Sequence, residues 1–470
     1  MRNCDVQGQY RSRELKWQTI MLACKHDSAE FGSPMCEHLR IAQERAIPYV
    51  KWYIESGLKA ELLCMTCAEK RTQGLVVDVA NVCEQCFEQI TTEIGYLKSI
   101  GGKPEIRVRP EPFNPTLKTT SLPKQLGAAL DIAPVNDNSQ SVWMILAANG
   151  DIFKFNADTG HYEQVTRSSV PVEPGHEDWP KTLRQRLHVS HRGEFVAVVN
   201  DYGRYGQIIN VRTGKVTLEL DGGDYHEYTV PLSFAFADVS TGVIAIHRTD
   251  WNRLDFSNPA NGSLLSERSP TSYQSHEKRP DHYLDYFHGA LYVNPSCTRI
   301  MDDGWIWHPV GVPRSWSLER WFSENVWESE DGSSRKEICA REYYWDRSIC
   351  WLDDSRVVIS GIGDDDAAMV DGARIFDVTA SGSAGPQWRS DLDWALEVSA
   401  FAGPAGRFFS DGISLFSSNK EGLSRWSIDD GALTGQLKDF EPTHHHRGAR
   451  ELVQLSDNVL TRFVIYCPQN

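Results

Sequence analysis

"GQIINVRTGKVTLEL", residues 206–220, is the stretch whose reading decides the fold. An apolar run leads into a polar turn closed by Gly214, and Val216, Leu218 and Leu220 then alternate with polar residues. Alternation with period two marks a strand with one covered face, and a Thr-Gly turn between two such runs marks a hairpin. The phrase returns as "GDIFKFNADTGHYEQV" (150–165), "NRLDFSNPANGSLLSE" (252–267), "ARIFDVTASGSAGPQW" (373–388) and "GLSRWSIDDGALTGQL" (422–437). Its turn glycines Gly160, Gly214 and Gly262 are spaced by 54 and 48 residues, and Gly382 and Gly431 by 49. The 120 residues between Gly262 and Gly382 leave room for one more unit with an insertion, around "DDGWIWHPVGVPRSWSLERW" (302–321). An apolar strand precedes each phrase: "EFVAVVN" (194–200), "GVIAIHR" (242–248), "RVVISGI" (356–362) and "GRFFSDGISLFSS" (406–418).

Repeats of about 50 residues, each with three or four short strands, predict sheets arranged radially around an axis. One such sheet cannot cover both its faces, so neighbours must supply the cover. Residues 124–470 accommodate seven units, with six or eight as alternatives. The final strands, 451–467, are expected to close the ring with a strand near "LGAALDIAPV" (126–135). In its recurrent Phe-x-x-x-Thr-Gly turn this part resembles the WD-repeat and related propeller families, over about three quarters of the chain. It lacks their Gly-His and Trp-Asp dipeptides: Trp251 precedes Asn252, and Trp345–Asp346 falls outside the repeat register. The resemblance therefore implies blades held mainly by apolar packing. The expected fold class is mainly β, a β-propeller of about seven blades preceded by a small α+β zinc-binding domain.

That small domain is read from cysteines. Seven of the eleven lie within the first 86 residues, and an odd total with paired spacing fits metal ligation in a reducing compartment better than disulfides. Cys64, Cys67, Cys83 and Cys86 form C-x2-C-x15-C-x2-C, two knuckles able to complete a closed tetrahedral zinc site. "YVKWYI" (49–54) and "AELLC" (60–64) read as a hairpin delivering the first knuckle. "GLVVDVANVC" (74–83) reads as a strand returning to the second, and 84–99 has helical spacing. This order resembles a treble-clef zinc finger. Upstream, Cys24 with His26 and Cys36 with His38 suit a second Cys2His2 zinc, or else two capped turns. Four ligand pairs also permit interleaved sites, as in RING-type fingers, although 25 residues separate the second pair from the third. A closed site holds shape and does not activate water. The expected domains are a cysteine-rich module (1–100), a Pro-rich linker (101–123) and the propeller (124–470).

Charge narrows the partners. Residues 1–123 carry 16 basic and 15 acidic side chains, and the remainder carries 32 and 49. The acidic excess argues against nucleic acid, which calls for a dense basic face. No run approaches the roughly 18 apolar residues of a membrane span, and the first twenty residues hold no secretory pattern, so a soluble cytoplasmic protein is expected. Nothing in the sequence fixes the oligomeric state.

Catalytic signatures are missing: there is no G-x-S-x-G, no G-x-x-x-x-G-K and no H-E-x-x-H. Asp364, Asp365 and Asp366 read as a solvated loop, and His444–His446 as a surface turn. Seven of fifteen tryptophans crowd between 305 and 351. Most are expected as wedges between blades, while Trp316, Trp321 and Trp327 form the candidate patch for a protein partner. The leading expectation is a non-catalytic adaptor. Its alternatives are an enzyme, either a hydrolase with carboxylates in the central channel or a ubiquitin-ligase-like recruiter, and a component of a microbial conflict or immunity system.

Overall fold

The computed structural model describes residues 33–41, 49–53, 60–82, 106–113 and 116–465, apart from 138, 176–180, 182, 270–272, 274–275, 277, 308, 364–365, 367–368 and 383–391. The chain divides into two compact units, Met1–Glu105 with Asp365–Val370 and Ile106–Asp364 with Asp371–Asn470.

In the larger unit, seven antiparallel sheets follow one another in chain order. Blades 1 to 6 span 129–167, 184–221, 234–257, 287–342, 349–402 and 407–438. Blade 7 joins three strands of 444–464 to Leu117–Ser121. Innermost strands pack side by side around the ring, and the last, His444–His446, returns to the first, Ala129–Pro134. The protein's large unit is thus a seven-bladed β-propeller, and in blades 1, 2 and 6 the recurring phrase is the third strand, turn and fourth strand.

The apolar second strands explain why a ring forms. Val142–Ala147 ("VWMILA") is buried at every position and Phe195–Asp201 at all but its first. A strand apolar on both faces needs cover on both, and each neighbouring blade provides one. The turns repeat because their chemistry does. At Asn156 and Asn210 the side-chain oxygen accepts a backbone N–H two or three residues on, and the main-chain carbonyl accepts the N–H of Gly160 or Gly214. Asn258 and Gly262 do the same. These glycines hold φ of 75°, 66° and 73°, the left-handed region. At Gly262 a Cβ would also stand 2.3 Å from the Thr217 carbonyl oxygen, so only glycine fits.

Two expectations about the ring need correction. The closing strand is Leu117–Ser121, which pairs antiparallel with Val459–Val464 (Thr119 opposite Thr461), whereas 129–134 is the innermost strand of blade 1. The stretch assigned to a linker is therefore partly built into the ring. Arg109 N–H also donates to the Leu433 carbonyl (2.9 Å), and the Phe113 ring meets Phe463 edge-on at 5.6 Å. Proline content misled here because an edge strand tolerates nearby prolines that an inner strand would not.

His444–His446 is the innermost strand of blade 7 and not a surface turn. His446 is fully buried and pairs through Nε2 with the Val142 carbonyl, at 3.0 Å. Alternation along the strand separates the three rings, and His444 meets Asp131 instead, at 3.1 Å.

Besides the apolar clusters expected between blades, one seam carries a buried polar bridge. Where blade 7 meets blade 1, Ser141 Oγ donates to Glu451 (2.6 Å) and accepts the Trp143 indole N–H (3.0 Å). Arg462 donates to Glu451 (3.2 Å), Asp158 (2.8 Å) and the Ala157 carbonyl (3.1 Å). Ser141, Trp143, Glu451 and Arg462 are all buried.

This seam yields a stability prediction. Arg462→Met leaves the Glu451 carboxylate buried without its cation and is expected to cost about 3–5 kcal/mol in urea unfolding. Adding Glu451→Leu should recover much of that loss. A single-variant cost below about 1 kcal/mol would mean the charge pair does not hold the seam.

A second prediction concerns pH. Burial holds His188 and His445 down at about 3, and His247 and His446 at about 4. Unfolded histidine titrates near 6.5, so the unfolded chain takes up protons first as pH falls. Asp303, pushed up to about 7 by burial, and Asp201, also raised by burial, act in the opposite sense, as two groups against four. The urea midpoint should therefore be steady just above pH 7 and decline from about 6.5 to 5. A flat profile over that interval would show these imidazoles to be solvated.

Candidate metal centre and aromatic rim

The small unit contains β1 (Ser33–Cys36), α1 (Glu37–Ile41), β2 (Tyr49–Tyr53), β3 (Ala60–Cys64), α2 (Met65–Thr72) and β4 (Val79–Val82), with sheet order β2-β3-β1-β4. The expected hairpin is present: β2 pairs antiparallel with β3, Tyr49 opposite Cys64. β1 and β3 are parallel, Met35 beside Leu62, and each runs directly into a helix. Two parallel strands in this alignment end together. Cys36 and Cys64 therefore close adjacent strands, while His38 and Cys67 stand on the first turns of the adjacent helices.

The result is one four-residue cluster. The ligand atoms of Cys36, His38, Cys64 and Cys67 all lie within 4.8 Å of one another. His38 Nδ1 lies 3.2 Å from Cys67 Sγ, and the Cys64 backbone N–H donates to Cys36 Sγ, also at 3.2 Å. The three cysteines are buried and His38 is exposed. Zinc bonds sulfur at about 2.3 Å, so tetrahedral ligands stand about 3.8 Å apart, and this donor set fits that span. Without a cation, burial and the neighbouring thiols push Cys67 up to about 12 and raise Cys36 as well. Packed thiols with no counter-charge resist ionising, and a bound cation reverses that logic.

This grouping differs from the one that spacing suggested. Sequence joined Cys64 and Cys67 to Cys83 and Cys86, and Cys36 and His38 to Cys24 and His26. The fold instead joins the second pair to the third. Cys24, His26, Cys83 and Cys86 lie outside the described residues. Val82, just before Cys83, pairs with Ser33, at the end of β1 opposite Cys36. An interleaved RING arrangement needs first with third and second with fourth, which is not the pairing observed. The signal that sequence reading missed was two β-strand-to-helix steps, "SPMCEH" and "AELLCMTC", one sheet position apart.

Aromatic residues also fell differently. Trp316 and Trp321 are fully buried in the core shared by blades 3 and 4, packed on Phe256, so neither can form a partner surface. Trp327 is half-buried, with the His282 ring stacked on it at 4.6 Å and the Arg268 guanidinium 4.7 Å from its centroid. Exposure moves to another group. Trp307 is 41% exposed and Tyr225 45%, and both rest on Phe287 (centroids at 5.4 and 5.8 Å). Phe287 stacks on Trp305 at 4.1 Å, and Trp305 on Trp345 at 5.1 Å. These residues come from the link into blade 3, the first residue of blade 4, the end of its second strand and the link into blade 5. All sit at the mouth of the ring where innermost strands begin. Sequence could not rank the tryptophans, because exposure depends on which strand end each occupies.

At the same mouth, the innermost strands of blades 2 and 6 begin with Arg184 and Arg407. Asp366 is the described member of the acidic loop, and Asp364 and Asp365 lie outside the described residues.

No protein-family model matches the chain. No curated protein matches it either. Among solved structures it is similar to a chain of a mitotic checkpoint complex, at 12% identity over 79% of this chain and 95% of that one, with a TM-score of 0.43. It is also similar to the β-propeller domain of Myceliophteria thermophila Cps50 (Swd1), at 10% identity over 75% and 100%, with a TM-score of 0.42. The ring is read from the strand order and closure described above, and at such values neither likeness speaks to partners. No helix among the described residues is long and apolar enough to cross a membrane.

Proposed function

We propose that this protein is a non-catalytic interaction scaffold, in which the propeller holds a protein partner and a zinc-pinned module keeps a second surface in shape. The observation that carries the reading is the aromatic rim. Tyr225 and Trp307 stand exposed on a rigid stack of Phe287, Trp305 and Trp345. Large rings with polar edges, fixed from beneath, bury area on binding at little cost in side-chain freedom. A partner suited to this rim offers an apolar or aromatic anchor.

In the small unit, Cys36, His38, Cys64 and Cys67 hold the ion, which supplies positive charge and four bonds to a domain with few buried apolar side chains among its described residues. All four positions are filled by protein, so the centre is structural. Cys83 and Cys86, with Cys24 and His26, are the candidates for a second ion.

Zinc counting by mass spectrometry tests the centre. Cys36→Ser is expected to lose one equivalent per chain and to expose the first hundred residues to trypsin, while ring stability is unchanged. Retention of full zinc would discard the four-residue site. For the rim, affinity capture from native lysate with the double variant Tyr225→Ser, Trp307→Ser should recover the partner at least tenfold less well. Undiminished recovery by a folded double variant would remove this surface from the account.

A further inference from the structure

A cavity of 830 Å³ opens at the mouth of the ring where the innermost strands begin. Its size falls within the range of small-molecule pockets, about 300–1,000 Å³. The charge of its wall runs against that of the chain. Six cationic side chains, Lys181, Arg184, Arg186, Arg347, Arg407 and Lys420, line it against Asp346, Asp371 and Glu441, in a protein of net charge −16.

The cations are only partly matched from within. Arg184 (3.4 Å) and Arg186 (2.7 Å) share one carboxylate oxygen of Asp201, which is fully buried behind them. Lys181 meets Asp346 at 3.2 Å, and Asp346 also accepts the Tyr202 hydroxyl. The Arg407 side chain, at the start of blade 6, has no hydrogen bond or ion pair among the described residues, while its backbone pairs with Ser418. Partial burial and the charges of Arg184 and Arg186 lower its pKa, the mark of like charges gathered across one space. A fold that gathers more cations than carboxylates in one space gives up stability at that place, and the usual reason is a ligand that supplies the missing charge.

The donors also indicate which anion. Guanidinium groups present paired N–H bonds that match phosphate oxygens two at a time. Tyr202, Tyr292 and Tyr344 add phenol rings to the same wall, and burial raises the pKa of Tyr292, which stays a neutral donor at neutral pH, while the Tyr202 hydroxyl is spent on Asp346. We infer that this mouth binds a phosphate-bearing small molecule with several negative charges, held chiefly by Arg184, Arg186 and Arg407. A single phosphate would fill little of the space, whereas a linear polyphosphate or a ring carrying several phosphates would reach arginines of both blades.

Calorimetric titration of the full-length protein at physiological salt tests this, with tripolyphosphate and inositol hexakisphosphate as probes and citrate and an octaglutamate peptide as comparisons. One-to-one binding of either phosphate probe is expected, and the tighter of the two identifies a linear or a cyclic source. Arg407→Gln and Arg184→Gln should each weaken that binding at least tenfold. Without ligand, Arg407→Gln should melt no lower than the wild type, since it relieves repulsion, and this separates lost binding from lost folding. Silence from both phosphate probes at millimolar concentration would overturn the proposal, as would undiminished affinity in Arg407→Gln. So would octaglutamate binding more tightly than either phosphate probe, which would make the mouth a site for acidic polypeptide. The Tyr225, Trp307 double variant should still bind phosphate, so this inference and the scaffold reading can fail separately.

Discussion

A strand that is apolar on both faces must be covered on both, and the large unit follows from that constraint. Val142–Ala147 and its counterparts leave no face fit for water. Stacking sheets in a row would satisfy every blade except the two at the ends. Bending the row into a ring removes the ends, and the seam joins the first blade to the last. Here it is made twice over. Leu117–Ser121 supplies the outer strand of the last blade, and Arg462, Glu451 and Ser141 form a buried polar bridge to the first. Buried polar groups add little net stability when satisfied and cost much when mispaired, so such a bridge specifies which blades meet.

The small unit solves a different problem with different means. Its described core is a handful of side chains, among them Met35, Leu39, Leu62, Leu63 and Val77. Parallel pairing of two strands that each turn into a helix brings three thiols and an imidazole to one point. That concentration of ionisable groups is unfavourable unless a cation joins it. The geometry of the cluster is thus that of a site able to hold a metal ion.

The mouth of the ring carries two chemistries side by side. Around blades 3 and 4 it is aromatic, with rings stacked on rings. Across the axis, between blades 2 and 6, it is cationic. Trp345 and Asp346 are consecutive and join the two, one stacked on Trp305 and the other paired with Lys181. Each surface is built from strand starts and turns, the places where a propeller can vary side chains without disturbing its packed sheets.

By itself the sequence determined what is local. Alternation and the Asn-to-Gly turns gave the hairpins, their period gave seven blades, and the paired cysteines marked where a metal could sit. Each of these depends on residues within one strand, one turn or one knuckle. Tertiary structure decided which distant segments meet: Cys36 with Cys64 through parallel pairing, Leu117–Ser121 with Val459–Val464 at the seam, and His446 inward where three histidines read as surface. It also sent Trp316 and Trp321 to the core and Trp307 to the rim, and gathered Arg184 and Arg407 from positions more than 200 residues apart. Local pattern fixes a side chain's position on its own strand, but only the closing of the ring fixes what faces it.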